Sequence, residues 1–287
     1  MKTQVQHKTR MSRPSRYFPS RRYPPRGQNR PPTESIPIAS VPTVSPPPEK
    51  VSMPIAVDVS TAINHFVTNF LIDDGSSYTG PMMDGKPEGS GKQKWPDSSF
   101  YEGDFVKSKR EGRGKAFFVD QGSFDGDWNE NMMTYGFCRY PDTSEYESYK
   151  GSFNNWLPNG MGMLKYRDGR IYEGEFIRGL PNGSGKMSHK EYSYTGQFHM
   201  GHRNGWGIQE TNDIRYEGYW QNDKENGFGT MYYMKTQTHY TGYWKNSMYE
   251  GIGMRVYSTH STEGYWEQGK IKKTFFTSAR SPLITSC

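Results

Sequence analysis

Tyr172, Gly174 and Phe176 occupy relative positions 1, 3 and 5 of a unit whose later glycines, Gly183 and Gly185, fall at positions 12 and 14. The same frame restarts at Tyr78, Tyr101, Tyr149, Tyr194, Tyr216 and Tyr240. Phe124, with Gly126 and Trp128, opens a degraded copy, and Gly264 and Trp266 belong to a truncated last one. Successive anchors lie 22 to 25 residues apart. A fixed period in this range identifies an array of one supersecondary unit, each copy leaning chiefly on its neighbours. It also explains a mean hydropathy of −0.96 in a chain of 287 residues. The core of such an array is built from Tyr, Trp and Gly in place of Leu and Val.

Side chains alternate between the faces of an extended strand, so positions 1, 3 and 5 point to one side. The glycines at positions 12 and 14 likewise share a face of a second strand, and an aromatic follows four residues later in most copies, as Trp95, Phe118, Tyr166, Tyr233 and Tyr257. Between the two strands runs a turn-rich stretch such as Arg178-Gly179-Leu180-Pro181-Asn182, which suits a hairpin connection. Glycine leaves room for a neighbouring ring to lie flat. One hairpin alone is marginal in water, whereas stacked hairpins bury their aromatic faces on each other.

These residues resemble the MORN repeat (membrane occupation and recognition nexus) over residues 78–269, as about eight copies and a partial one. The resemblance implies an all-β fold: an elongated, twisted, single-layer antiparallel sheet of consecutive hairpins. It implies a scaffold and not an enzyme, since members serve in cilia and flagella, in parasite cytoskeletons and at membrane junctions, some beside an enzymatic domain.

The flanks differ from the array. Residues 1–54 are rich in proline and basic side chains, and a segment so composed cannot bury enough surface to order itself. Disorder is expected there, with polyproline II character around Arg21-Arg22-Tyr23-Pro24-Pro25-Arg26. Arg21, Arg22, Arg26 and Arg30 are its candidate electrostatic tether to an anionic membrane or an acidic protein. The prolines argue against the amphipathic helix of an organelle transit peptide. Residues 55–77 read as an amphipathic capping segment. Ile55, Val59, Ile63, Phe66, Val67 and Phe70 recur at helical spacing, predicting a short helix over 55–72 that covers the open edge of the first hairpin. Residues 270–287 form a basic tail. No run of 18 apolar residues is present, so no helical span is expected.

Nothing in the chain has the spacing of a catalytic or metal-binding set, and no cofactor or specific nucleic acid is implied. Cys138 and Cys287 are the two cysteines, and their separation fits neither a disulfide framework nor a metal site. Cys138 is expected to be buried, and the setting intracellular, in the cytoplasm or cytoskeleton. His199 and His202 are a near pair without a third ligand and read as turn residues. Each Gly-x-Gly element follows a hairpin turn, outside the strand-to-helix context of a nucleotide loop.

The face opposite the Tyr/Trp side carries the information about partners. In early copies it is charged: Glu102 and Asp104, Asp125 and Asp127, Glu173 and Glu175, with Lys92, Lys94, Arg113 and Lys115 on the second strands. In late copies it turns apolar, through Trp206, Ile208, Tyr219, Phe228, Tyr232, Tyr243, Ile252, Met254 and Tyr265. A single-layer sheet that is apolar on both faces needs its second face covered. These nine residues are therefore the candidate surface for a protein partner or for self-association. The function that follows is a non-catalytic scaffold of a cytoskeletal or ciliary and flagellar assembly. The alternatives are a peripheral membrane adaptor that uses the basic residues, or a regulatory subunit of an enzyme.

Overall fold

The computed structural model describes residues 65–279. The proline-rich segment 1–54, its four tether arginines, the start of the capping segment and residues 280–287 lie outside them. The described residues form one open antiparallel sheet of 20 strands. The strands are β1 (His65–Leu71), β2 (Ser77–Met83), β3 (Lys86–Pro87), β4 (Gly89–Lys94), β5 (Phe100–Val106), β6 (Lys109–Phe118), β7 (Gly122–Asn129), β8 (Met132–Arg139), β9 (Tyr146–Asn154) and β10 (Leu157–Tyr166). They continue as β11 (Ile171–Ile177), β12 (Leu180–His189), β13 (Tyr192–His199), β14 (His202–Thr211), β15 (Ile214–Gln221), β16 (Lys224–Tyr233), β17 (Thr238–Lys245), β18 (Met248–Val256), β19 (His260–Glu267) and β20 (Lys270–Ala279). Each strand pairs with its neighbours in sequence, so every connection is a hairpin; β3 and β4 share the partner β2 and are two pieces of one rung.

The turn within a unit is tighter than its sequence suggests. In the fifth unit only Arg178 and Gly179 turn, both at positive φ (50° and 82°), and Leu180-Pro181-Asn182 already belongs to β12. Asn155-Trp156, Asn222-Asp223 and Asn246-Ser247 do the same with two positive-φ residues. This is the two-residue turn whose twist matches that of the strands it joins. Most of these turns are pinned to the preceding unit. The amide of Gly179 donates to the Pro158 carbonyl (2.8 Å), that of Gly201 to Pro181 (2.9 Å) and that of Ser247 to Glu225 (2.9 Å). The residue after that carbonyl often adds a side-chain acceptor: Asn182 Oδ1 takes the Met200 amide at 3.2 Å.

The two glycines of each unit act for different reasons. Gly174 pairs with Gly185 across the hairpin, and Phe176 pairs with Pro181, so a bulge on β12 lies between these pairs. Gly183 sits in that bulge at φ +82°, a left-handed conformation that other residues reach only at a cost. Gly185 is needed for space. A Cβ there would lie 2.3 Å from the Tyr172 hydroxyl oxygen.

The anchor tyrosines, Tyr78, Tyr101, Tyr149, Tyr172, Tyr194, Tyr216 and Tyr240, are fully buried. Each ring covers its glycine pair and donates its hydroxyl proton to the carbonyl three residues on, at 2.9 Å for Tyr172 to Glu175. Tyr172 meets Phe176 of its own unit and Phe198 of the next, both edge to face, with centroids 5.0 and 4.9 Å apart. Tyr216 does the same with Trp220 and Trp244. Such contacts contribute about 0.5–1.5 kcal/mol each beyond the area they bury. Where position 5 is tryptophan, its indole N–H ties the units together: Trp220 donates to Gly207 O and Trp244 to Gly229 O, at 3.2 and 3.1 Å. In the degraded third unit Phe124 has no hydroxyl, and Met133 fills the space over Gly126 and Gly136. Cys138 is fully buried there, and desolvation pushes its thiol up to about 12.

One expectation is overturned. His65–Leu71 is a strand and not the end of a helix over 55–72, and the described residues contain no helix. The free edge of β2 explains this: β1 pairs with it from His65–Met82 to Leu71–Ser77 and satisfies its backbone groups. Val67 packs on the core, while Phe66 and Phe70 stay exposed.

Candidate protein-docking face

The inner face of the sheet is largely filled by rings, with a depression of about 330 Å³ among the late units lined by Met231, Tyr233, Trp244 and Tyr249. Besides the aromatic rings of adjacent units, the residue at position 10 lies over the tyrosines. Arg203 sits 5.6 Å from the Tyr194 ring and 4.1 Å from that of Trp220. Tyr249 stacks on Tyr240 at 3.7 Å. Arg110 lies among Trp95, Tyr101, Phe118 and Trp128, and desolvation lowers its guanidinium to about 10.

On the late outer face the register aligns the predicted residues. Trp206 is opposite Tyr219, Phe228 opposite Tyr243 and Ile252 opposite Tyr265. All six are exposed, from 42% for Trp206 to 56% for Ile252. The bulge glycines keep the row continuous: Gly227 lies beneath Tyr219 and Gly251 beneath Tyr243, with Cβ positions 3.1 and 3.6 Å away. The other three predicted residues lie beside this row. Ile208 is half-buried opposite Glu217, and Met254 is exposed opposite Glu263. Tyr232 lies tilted against His239, centroids 5.6 Å apart at 37°, with Arg215 above it. So six of the nine form one file, and three form its flank.

The early outer face is charged, as expected, and six of its charges are paired with one another. Lys92 Nζ meets Glu102 at 2.9 Å, and Arg113 reaches Asp127 at 3.2 Å and Asp125 at 3.8 Å. Lys115 lies 3.5 Å from Asp125. Sequence parity understated the apolar part of this face. Phe100, Phe117 and Phe137 line a depression of about 400 Å³ with Lys115 and Asp125, and Tyr135 and Met161 are exposed nearby. The Phe124 unit is one residue short, so its inner glycine, Gly136, falls at position 13, and Tyr135 and Phe137 at positions 12 and 14 face outward, against the parity of the other units.

His199 and His202 face each other across the Met200-Gly201 turn, and His202 Nδ1 contacts Asp223 Oδ2 at 2.6 Å. Burial by itself would raise the Asp223 carboxyl, but hydrogen bonds from His202 and the Arg203 amide, with the Arg203 charge, hold it below the usual carboxylate range. Among the described residues there is no group of three or more His, Cys, Asp or Glu placed to hold a metal. No helix among them is long and apolar enough to cross a membrane.

The family model described as MORN repeat matches residues 78–100, 101–123, 149–169, 172–190, 194–209, 216–235 and 240–262. The unmatched interval contains the Phe124 unit, which nonetheless folds as the hairpin β7–β8. No curated protein shows a match to the chain.

Proposed function

Because the chain belongs to the MORN-repeat family, a family of repeat-built binding proteins, we propose that it is a non-catalytic scaffold of a cytoskeletal or ciliary assembly. The single observation that carries the scaffold reading is the file of six exposed apolar side chains from Trp206 to Tyr265, on the side of the sheet opposite the tyrosine core. Aromatic residues grouped this way are typical anchors of protein interfaces, and a soluble chain seldom leaves such a patch wet. The cytoskeletal and ciliary setting rests on the family resemblance alone. A protein partner is favoured over a lipid surface because Lys92, Arg113 and Lys115 are already matched by Glu102, Asp125 and Asp127. The arginines at 21, 22, 26 and 30 would add a salt-sensitive tether.

The test is sedimentation of the full chain with the detergent-insoluble cytoskeleton of ciliated cells. The wild-type chain is expected in the pellet, and Trp206→Ser/Tyr219→Ser in the supernatant with an unchanged far-UV spectrum. A wild-type chain that stays soluble, or binds anionic vesicles equally well with both residues replaced, would overturn the reading.

A further inference from the structure

Position 10 of each unit pairs with position 5 and so shares the inner face with it. Phe105 pairs with Arg110, Phe176 with Pro181, Phe198 with Arg203, Trp220 with Glu225 and Trp244 with Tyr249. In most units this residue covers the rings. Pro158 and Pro181 are buried there. Arg110 and Arg203 lay their guanidinium groups on aromatic faces, Arg203 at 4.1 Å from the Trp220 ring, and Tyr249 stacks on Tyr240. The Tyr216 unit differs, because its position 10 is an acid, Glu225. Trp244 stands to Glu225 in the repeat frame as Trp220 stands to Arg203. Yet no cation among the described residues lies over Trp244.

The depression of about 330 Å³ lies at this place. Its lining joins buried Met231 and Trp244 to half-buried Tyr233 and Tyr249, exposed Met248 and the acid Glu225. Glu225 is the one charged residue of that lining. Burial, and after it the Glu225 charge, raise the Tyr216 phenol, so the carboxylate lies close to the inner rings. It makes no ion pair or side-chain hydrogen bond among the described residues. The neighbouring cations are engaged elsewhere. Arg203 meets Asp223 at 3.2 Å. Arg255 lies 4.2 Å from the Tyr233 ring and donates to the Tyr249 hydroxyl at 2.6 Å and to Thr238 Oγ1 at 3.3 Å. A carboxylate beside aromatic faces attracts a cation by its own charge and by the ring quadrupoles. A guanidinium suits the place better than an ammonium, because it is planar, stacks on rings and is weakly hydrated.

We propose that this inner-face depression receives an arginine side chain of a protein partner, stacked over Trp244 and paired with Glu225. One unit earlier the chain fills the equivalent seat with its own Arg203, so the fold itself shows which group fits. Arginine is also among the residues that most often anchor protein interfaces. The site lies on the face opposite the file from Trp206 to Tyr265 and stands independently of that file.

The isotope-labelled full chain is titrated with the peptide acetyl-Gly-Ser-Arg-Ser-Gly-amide and with its citrulline twin, which keeps the shape and loses the charge. Nuclear magnetic resonance follows the indole N–H signals of the seven tryptophans, that of Trp244 being identified by its loss in Trp244→Phe. A saturable shift of the Trp244 signal is expected with the arginine peptide. Binding should be at least tenfold weaker for the citrulline twin and for Glu225→Gln. Glu225→Arg supplies the guanidinium from within the chain. It should abolish peptide binding and leave the melting temperature at or above that of the parent. Absence of a Trp244 shift, equal affinity for the two peptides, or binding unchanged in either Glu225 variant would overturn the proposal. So would phosphocholine matching the arginine peptide at Trp244, since a quaternary ammonium headgroup would then be the occupant. A shift confined to Trp206 would place the arginine on the outer file, overturning this site and leaving the docking face intact.

Discussion

Tyr172 lies over Gly185, and a Cβ on that glycine would sit 2.3 Å from the phenol oxygen. The ring cannot retreat, because Phe176 and Phe198 hold it edge-on from both sides. Gly185→Ala is therefore expected to destabilise by about 1–3 kcal/mol or more, the range for overpacking a filled core. Gly251→Ala is the comparison. Unlike Gly185 it carries a backbone penalty, at φ +70°, but its Cβ would lie an ordinary 3.6 Å from that of Tyr243. Its cost should be nearer ~1 kcal/mol, that of placing one L-residue in a left-handed conformation. Chemical denaturation of both variants checks the order.

The hydroxyl on each anchor ring is a separate contribution. Tyr172→Phe keeps the ring contacts and removes the 2.9 Å hydrogen bond to the Glu175 carbonyl. Trp220→Phe removes the 3.2 Å bond to Gly207, along with part of the ring. The first change should cost about 1 kcal/mol, the usual net worth of one such bond. The second should cost more, since it also opens a small void between units. Equal melting temperatures for Tyr172→Phe and the parent would mean that water replaces the lost partner at no cost.

The same hydroxyls set an alkaline limit. Desolvation by burial pushes Tyr194 up to about 12, and raises Tyr101, Tyr149, Tyr172, Tyr216 and Tyr240 further. In the unfolded chain these phenols ionise near ~10. A raised native value means that the stabilisation is complete below the unfolded value and is lost as pH climbs through the native one. Melting temperature should thus hold steady up to about pH 9.5 and fall steeply above 10. Absorbance at 295 nm should show a late class of tyrosines that ionises together with loss of the β-sheet signal.

The hairpin array was legible because its signal is periodic: one frame of Tyr, Gly and aromatic residues fixes both strand parity and pairing of positions 3 and 14. The division of labour between Gly183 and Gly185 was not, since spacing cannot distinguish a positive-φ bulge from a steric seat. The segment around Phe66 was misread for a related reason. Ile63, Phe66, Val67 and Phe70 fit helical spacing, but the exposed backbone of β2 offered hydrogen bonds that local periodicity does not register. On the outer face parity found the file from Trp206 to Tyr265. It missed the Phe100, Phe117 and Phe137 depression because the Phe124 unit is one residue short, which puts Phe137 at position 14, a position that faces inward in the other units.

Phe228 and Tyr243 form the middle rung of the file, with centroids 5.6 Å apart at 78°. Both side chains are about half exposed, and Tyr243 meets the core through its backbone carbonyl, which accepts the Tyr240 hydroxyl proton at 3.2 Å and survives a side-chain change. Replacing both with Ser should cost the fold only about 1 kcal/mol, the worth of one cross-strand aromatic pair, and leave the melting transition cooperative. Association through the late face should be lost. Glu102→Ser/Asp104→Ser on the early face removes one ion-paired carboxylate, Glu102, whose bond to Lys92 is exposed and worth little. It should change both stability and association far less. Parallel melting curves and partner-binding isotherms for the two double variants decide the matter. Global unfolding from the Phe228/Tyr243 pair would make the late face part of the core. Equal losses of binding from both pairs would place the docking site elsewhere on the sheet.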